Sequence, residues 1–147
     1  MYKIEEFDKQ KTKVLKYIIY KKRSEQEIKS KFAKTIEEDM LEDIIEYLKK
    51  ANYINDKLYI EKTINNFMVL KNLSIKEIKY KLLAKGIKNN DIEDYIYNNI
   101  EELKQYEIKS AYNIICKKRM SLNEEEIKQY LLKKGYKSEN INLAMNE

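Results

Sequence analysis

The sequence predicts an all-α protein made of three tandem three-helix repeats. Three observations carry this. First, one phrase returns three times. At the centre it reads Ser74-Ile-Lys-Glu77-Ile78-Lys79-Tyr-Lys-Leu82-Leu83-Ala-Lys85-Gly86-Ile87, and near the C-terminus Asn123-Glu-Glu-Glu126-Ile127-Lys128-Gln-Tyr-Leu131-Leu132-Lys-Lys134-Gly135-Tyr136. A worn copy near the start reads Ser24-Glu-Gln-Glu27-Ile28-Lys29-Ser-Lys-Phe32, followed by Ile36 and Leu41. The Glu-Ile-Lys triplets begin at 27, 77 and 126, a period of about 50 residues. Second, the 2 glycines, Gly86 and Gly135, hold equivalent places in two copies. Third, there is no proline, and Lys, Glu, Ile, Leu, Asn and Tyr dominate, a composition suited to helices with short connections.

The phrase has a mechanical meaning. Ser24, Ser74 and Asn123 each stand three residues before a Glu. In that capping-box pattern the cap oxygen accepts from the amide three residues on, and the Glu reaches back to the cap amide. Ile78, Leu82 and Leu83 then share one helical face, as do Ile127, Leu131 and Leu132. Gly86 and Gly135 are expected to end their helices in the left-handed conformation. Copy one lacks this glycine.

Taken in order, Asp8 is expected to cap a helix reaching about Lys22, with Val14, Leu15, Ile18 and Ile19 as its stripe. The capped helix from Ser24 follows. A third helix, about 37–51, carries Leu41, Ile44, Ile45 and Leu48. The stretch 52–56 breaks the pattern, and Asn55 or Asp56 caps the next helix, which runs to about Asn72 and buries Ile60, Ile64, Phe67 and Met68. After the central phrase, a helix over about 89–105 is expected to bury Ile92, Tyr95, Ile96, Ile100 and Leu103. Residues 101–112 carry no proline, glycine or strong cap, so a straight continuation and a bend near Tyr106 both stay open. The next helix carries Ala111, Ile114 and Ile115, and a short one over about 138–146 closes the chain. A second echo supports the three units: Ile18-Ile-Tyr-Lys21-Lys22-Arg23-Ser24 returns as Ile114-Ile-Cys-Lys117-Lys118-Arg119-Met-Ser121. The expected repeats are 1–52, 53–105 and 106–147. Each holds too few apolar residues to fold back on both neighbours, so an elongated array is expected.

Composition excludes several classes. Charged residues make up 37%, yet the apolar positions are periodic, so a folded chain is expected. No apolar run approaches the roughly 20 residues needed to span a bilayer, and the first residues do not read as a signal peptide. With 1 cysteine no intramolecular disulfide can form, and a reducing cytoplasm is the natural setting. A net charge of +5 permits an anionic partner without requiring one. Catalysis finds no foothold. The chain has 0 histidines and no phosphate-cradling glycine loop, and its carboxylates sit on highly charged helices. No cofactor, metal or enzymatic activity is expected.

The ordered motifs resemble the RecX family, bacterial proteins that modulate the RecA recombinase. Lys22-Arg23-Ser24-Glu-Gln-Glu27-Ile28 resembles the signature that opens that family. Tyr53-Ile54-Asn55-Asp56-Lys-Leu-Tyr59 resembles the second, and the central phrase to Ile87 the third. The resemblance covers about 9–147. Departures are lysines where the family usually has arginines, Lys22 where it often has proline, and Asn55 for the first acid of an acidic pair. The resemblance implies three three-helix units in an elongated, curved array. It also implies a non-enzymatic protein lying in the groove of the RecA–single-stranded DNA filament, limiting filament growth, strand exchange and co-protease activity.

Candidate binding residues follow from the repeats. Lys21, Lys22 and Arg23 and their echo Lys117, Lys118 and Arg119 read either as basic ends that meet phosphates or an acidic surface, or as cations at helix C-termini. Lys29, Lys79 and Lys128 follow the same isoleucine in all three copies; Lys71, Lys81, Lys85, Lys133 and Lys134 extend that stripe. Lysine contacts phosphate without reading bases, so sequence-specific recognition is not implied. Among the 13 tyrosines, Tyr17, Tyr20, Tyr80 and Tyr112 are near enough to the lysines to stack bases, although packing is the commoner use. Cys116 takes the place of Tyr20 and reads as structural; Asp56 reads as a cap. The expected function is modulation, mostly inhibition, of recombinase filaments, with monomeric protein, filament and single-stranded DNA as partners. A stand-alone nucleic-acid-binding helical array and an adaptor for another protein are the rival readings.

Overall fold

The computed structural model describes residues 3–147, and among them all regular structure is helical: nine helices and no strand. They are α1 (Ile4–Tyr20), α2 (Glu25–Phe32), α3 (Glu38–Lys50), α4 (Asp56–Leu70), α5 (Ile75–Ala84), α6 (Asn89–Asn98), α7 (Ile100–Lys118), α8 (Glu124–Lys134) and α9 (Ser138–Met145). They compose two compact units. One runs to Ile60 and takes in Lys85–Ile87, the residues that close α5; the other holds Glu61–Ala84 and Lys88–Glu147.

In the first unit, Val14, Ile18, Ile28, Ile36, Met40, Leu41, Ile44, Ile45, Leu48 and Ile54 form the core. Leu15 is partly buried against it, but Ile19 is 68% exposed. A helical stripe about 100° wide accommodates positions 14, 15 and 18 and leaves 19 on its edge. α1 starts earlier than the Asp8 cap implies. Lys3 is the N-cap and Asp8 lies inside the helix, paired with Lys11 at 3.6 Å. Phe7 meets the Tyr47 ring edge-on at 6.4 Å, which gives the first turns something to pack on. The helix also stops at Tyr20, because Lys21 is extended. α3 ends at a residue that stands in for glycine: Asn52 has φ 64, and the Asn52 and Tyr53 amides close back on the Lys49 and Leu48 carbonyls. Asn55 then caps α4, accepting from the Leu58 amide at 3.1 Å.

In the second unit, the helix expected over 89–105 divides. α6 stops at Asn98, and Asn99 turns the chain with φ −126 and ψ 27 while its side-chain amide donates to the Tyr95 carbonyl at 2.9 Å. Ile100 and Leu103 therefore belong to α7, where Leu103 is buried and Ile100 is 39% exposed; Tyr95 and Ile96 on α6 are half-buried. The open question at 101–112 resolves as one continuous helix. The expected repeat boundary at 105/106 lies inside α7. α9 packs along α7, and Ile108, Ala111, Ile115, Ile127, Leu131, Tyr136, Ile141 and Ala144 form a common core. Leu83 and Leu132, both expected on buried faces, are 36% and 44% exposed, since each sits one residue past the fully covered Leu82 or Leu131.

Candidate partner-binding site

Each unit contains a joint between successive copies of the phrase, built in the same way. In the first, the Ser24 hydroxyl accepts from the Glu27 amide at 3.1 Å and donates to the Lys85 carbonyl at 2.8 Å. The Glu27 carboxylate takes the Ser24 amide at 3.0 Å, and the Asp56 carboxylate takes the Glu25 amide at 3.0 Å. In the second, the Ser74 hydroxyl accepts from Glu77 at 3.0 Å and donates to the Lys134 carbonyl at 2.8 Å. Glu77 takes the Ser74 amide at 3.0 Å, and buried Glu107 takes the Ile75 amide at 3.2 Å. Helix starts leave amides without partners, and the first turns of α2 and α5 are satisfied partly from their own caps and partly from the following copy. Asp56, the first residue of α4, thus also serves α2 as an acceptor.

The two glycines belong to these joints. Gly86 has φ 83 and Gly135 φ 97, as expected. A Cβ on Gly86 would lie 2.5 Å from the Gln26 side chain, and one on Gly135 would lie 2.9 Å from Lys76. Gln26 and Lys76 each stand two residues past the cap serine, so the backbones approach in the same register twice. Asn123 also forms a capping box, accepting from the Glu126 amide at 2.9 Å, but it is exposed and has no hydroxyl. A buried polar network surrounds the second joint. The Tyr106 hydroxyl accepts from the Leu73 amide at 2.9 Å and donates to the Lys71 carbonyl at 2.7 Å, and Tyr136 and Ser110 share a 2.7 Å bond. Burial pushes the Tyr136 hydroxyl well above its ordinary range.

The basic candidates differ in exposure and in the partners that their side chains meet. Lys21, Lys22, Lys71, Lys117 and Arg119 are exposed. Arg23 is not a free end: its guanidinium lies 4.2 Å from the centre of the Tyr17 ring, and its Nε is buried with no protein acceptor. Lys29 pairs with Glu25 at 3.0 Å, Lys79 pairs with Glu93, and Lys134 lies 4.0 Å from Glu77. Lys118 and Lys134 converge on Tyr130, at 4.7 and 5.3 Å from its ring centre. Lys71 lies over Phe67 at 5.7 Å. Lys85 is half-buried at the first joint, and Lys81 and Lys128 are half-buried while Lys133 is exposed. Of the tyrosines, Tyr17 packs edge-on to Phe32 at 5.5 Å and Tyr112 packs on the second core, whereas Tyr20 and Tyr80 are 88% and 57% exposed. Cys116, expected to be structural, is exposed, as is the Tyr20 whose place it takes. The sequence offered Ser24 and Ser74 only as caps; their buried second role shows in the letters just as serine in two copies and asparagine in the last.

No family model matches the chain. It is similar to the regulatory protein RecX of Clostridium perfringens (strain 13 / Type A), 34% identical over 121 residues that make 79% of this chain and 56% of that protein. It is similar also to the regulatory protein RecX of Staphylococcus epidermidis, 31% identical over 100% of this chain and 58% of that protein. The chain thus spans little more than half the length of these relatives. Among solved structures, the crystal structure of RecX from Lactobacillus salivarius superposes with a TM-score of 0.82 at 25% identity, covering 97% of this chain and 96% of that one. Three ordered signatures, a shared all-helical fold and relatives of one name agree: the chain belongs to the RecX family.

Proposed function

We propose that this chain is a non-enzymatic modulator, mostly an inhibitor, of RecA recombinase filaments on single-stranded DNA. It acts as a monomer in the cytoplasm, seated along the filament groove, and limits filament growth, strand exchange and co-protease activity. The observation that carries the reading is the likeness to regulatory RecX proteins along the whole of this chain. The exposed cations Lys21, Lys22, Lys117 and Arg119 support it, since they offer charge to phosphates or an acidic surface without base reading. Among the described residues no helix is long and apolar enough to cross a membrane.

The test is recombinase ATP hydrolysis on single-stranded DNA, titrated with this protein. The expected result is inhibition that weakens with ionic strength. Lys21→Gln/Lys22→Gln and Lys117→Gln/Arg119→Gln should each weaken it, and all four together more than either pair. Circular dichroism checks the fold of each variant. Full inhibition by a folded fourfold variant would move the contact to the lysines around Lys79. Tighter binding to bare single-stranded DNA than to filaments would favour the stand-alone nucleic-acid reading.

A further inference from the structure

The first unit carries an open groove of about 370 Å³ between α2 and α3 that the repeat pattern accounts for. Its floor is Ile36, Leu41 and Ile45, all of them core residues, and Ala33 and Lys29 stand along the α2 side. In the phrase, Ala33 holds the place of Leu83 and Leu132, nine residues after each cap. Those two leucines are more than half covered in their own copies. Copy one alone has a methyl group at this position, and α2 ends at Phe32, before it. Copies two and three thus carry an aliphatic side chain at a position where copy one carries only a methyl group.

The exposed side of α3 beside the groove is acidic. Glu37, Glu38, Asp39, Glu42, Asp43 and Glu46 are all exposed along α3, in a protein whose net charge is +5. Glu38 and Glu42 border the groove itself. Lys29, the cation on the facing side, is engaged by Glu25. In copy two the matching pair, Lys79 and Glu93, is joined in an ion pair; Lys29 has turned to Glu25 instead, leaving Glu42 facing the opening.

We propose that this groove docks a cationic segment of a protein partner, one that inserts a large aliphatic side chain over Ile36, Leu41 and Ile45 and sets a lysine or arginine against Glu38 and Glu42. A missing leucine fixes the size of the inserted group, and the acidic helix fixes the charge beside it. Phosphates are repelled by the same carboxylates, so this surface is not one for nucleic acid. The proposal stands apart from the recombinase reading, which rests on the exposed cations and on the relatives.

The test uses the full chain and a fluorescein-labelled helical peptide of leucine and lysine with one leucine per turn. Wild type should bind it, and a version with serine for every leucine should bind about tenfold more weakly or worse. Ala33→Leu restores the residue of the other copies. It should raise the melting temperature by a few degrees, about 2–4 °C, while weakening peptide binding about tenfold. Glu42→Lys, at an exposed position past the first turn of α3, should weaken binding severalfold with an unchanged melting temperature. Equal affinity of wild type and Ala33→Leu would overturn the proposal, as would a lower melting temperature for Ala33→Leu, because the leucine would then not fill the groove. Sedimentation showing a dimer that Ala33→Leu dissolves would overturn it too, by giving the groove to a second copy of this chain.

Discussion

The Ser74 hydroxyl donates to the backbone carbonyl of Lys134 at 2.8 Å, 60 residues away, while accepting from its own helix at Glu77. Ser24 does the same with Lys85. Removing either hydroxyl should therefore cost more than a cap. Ser74→Ala and Ser24→Ala should each lose about 1 kcal/mol for the cap and about 1 kcal/mol more for a buried carbonyl without its donor. Asn123→Ala should lose only the first part. Urea titration of the three variants measures this, and equal costs at all three positions would show that the long-range bond adds nothing.

Gly86→Ala is expected to destabilise by about 1 kcal/mol or more, because φ 83 is strained for any L-residue and the added methyl meets Gln26. Adding Gln26→Ala should recover the contact part and leave the backbone part. Gly135→Ala should behave likewise, more mildly, since its Cβ would lie 2.9 Å from a flexible lysine chain. A neutral Gly86→Val would show that α5 ends elsewhere.

Glu25 supplies a pH signature. Burial raises its pKa, but the hydrogen bonds from Lys49 and Lys29 outweigh burial and hold the folded carboxyl below its ordinary 4.5. Burial likewise opposes the Ser24 amide and the Tyr59 hydroxyl at Glu27, and again the net shift is downward. A depressed folded pKa means the unfolded chain binds the proton more readily. The stabilisation is therefore complete above about pH 4.5 and lost as pH falls through the folded values. Glu25→Gln should flatten that part of the acid limb. Urea midpoints measured from neutral to strongly acid solution check it, and an unchanged slope would count against the pairing.

Arg23 and Arg119 are equivalent letters in different surroundings. Arg23→Ala should cost about 0.5–1 kcal/mol, because the guanidinium lies over Tyr17. Arg119→Ala, at an exposed position, should stay within about 0.5 kcal/mol. Thermal melts of both variants decide it, and matching behaviour would mean the stacking contributes nothing to stability.

Much of this protein was legible in its letters. The capping boxes at Ser24 and Asn123, the left-handed Gly86 and Gly135, the buried set on α3, and Ile78 and Leu82 on α5 follow from short-range rules, since caps, glycine conformation and a 3.6-residue period depend on neighbours in sequence. The family was legible too, from three ordered signatures. Other features depend on residues far apart in the chain. Asn99 ends α6 although the apolar period runs on through Leu103, because a period records which faces are covered and not where the axis turns. The serine hydroxyls reach Lys85 and Lys134, and Asp56 and Glu107 serve helices other than their own, because an unsatisfied amide or carbonyl takes whichever partner folding brings to it. Arg23 lies on Tyr17 and Lys29 on Glu25, so a run of basic letters became partly packing and partly ion pair. Which cations stay exposed, and where Ala33 leaves an opening, depends on what surrounds each side chain, and those surroundings exist only once the helices have packed.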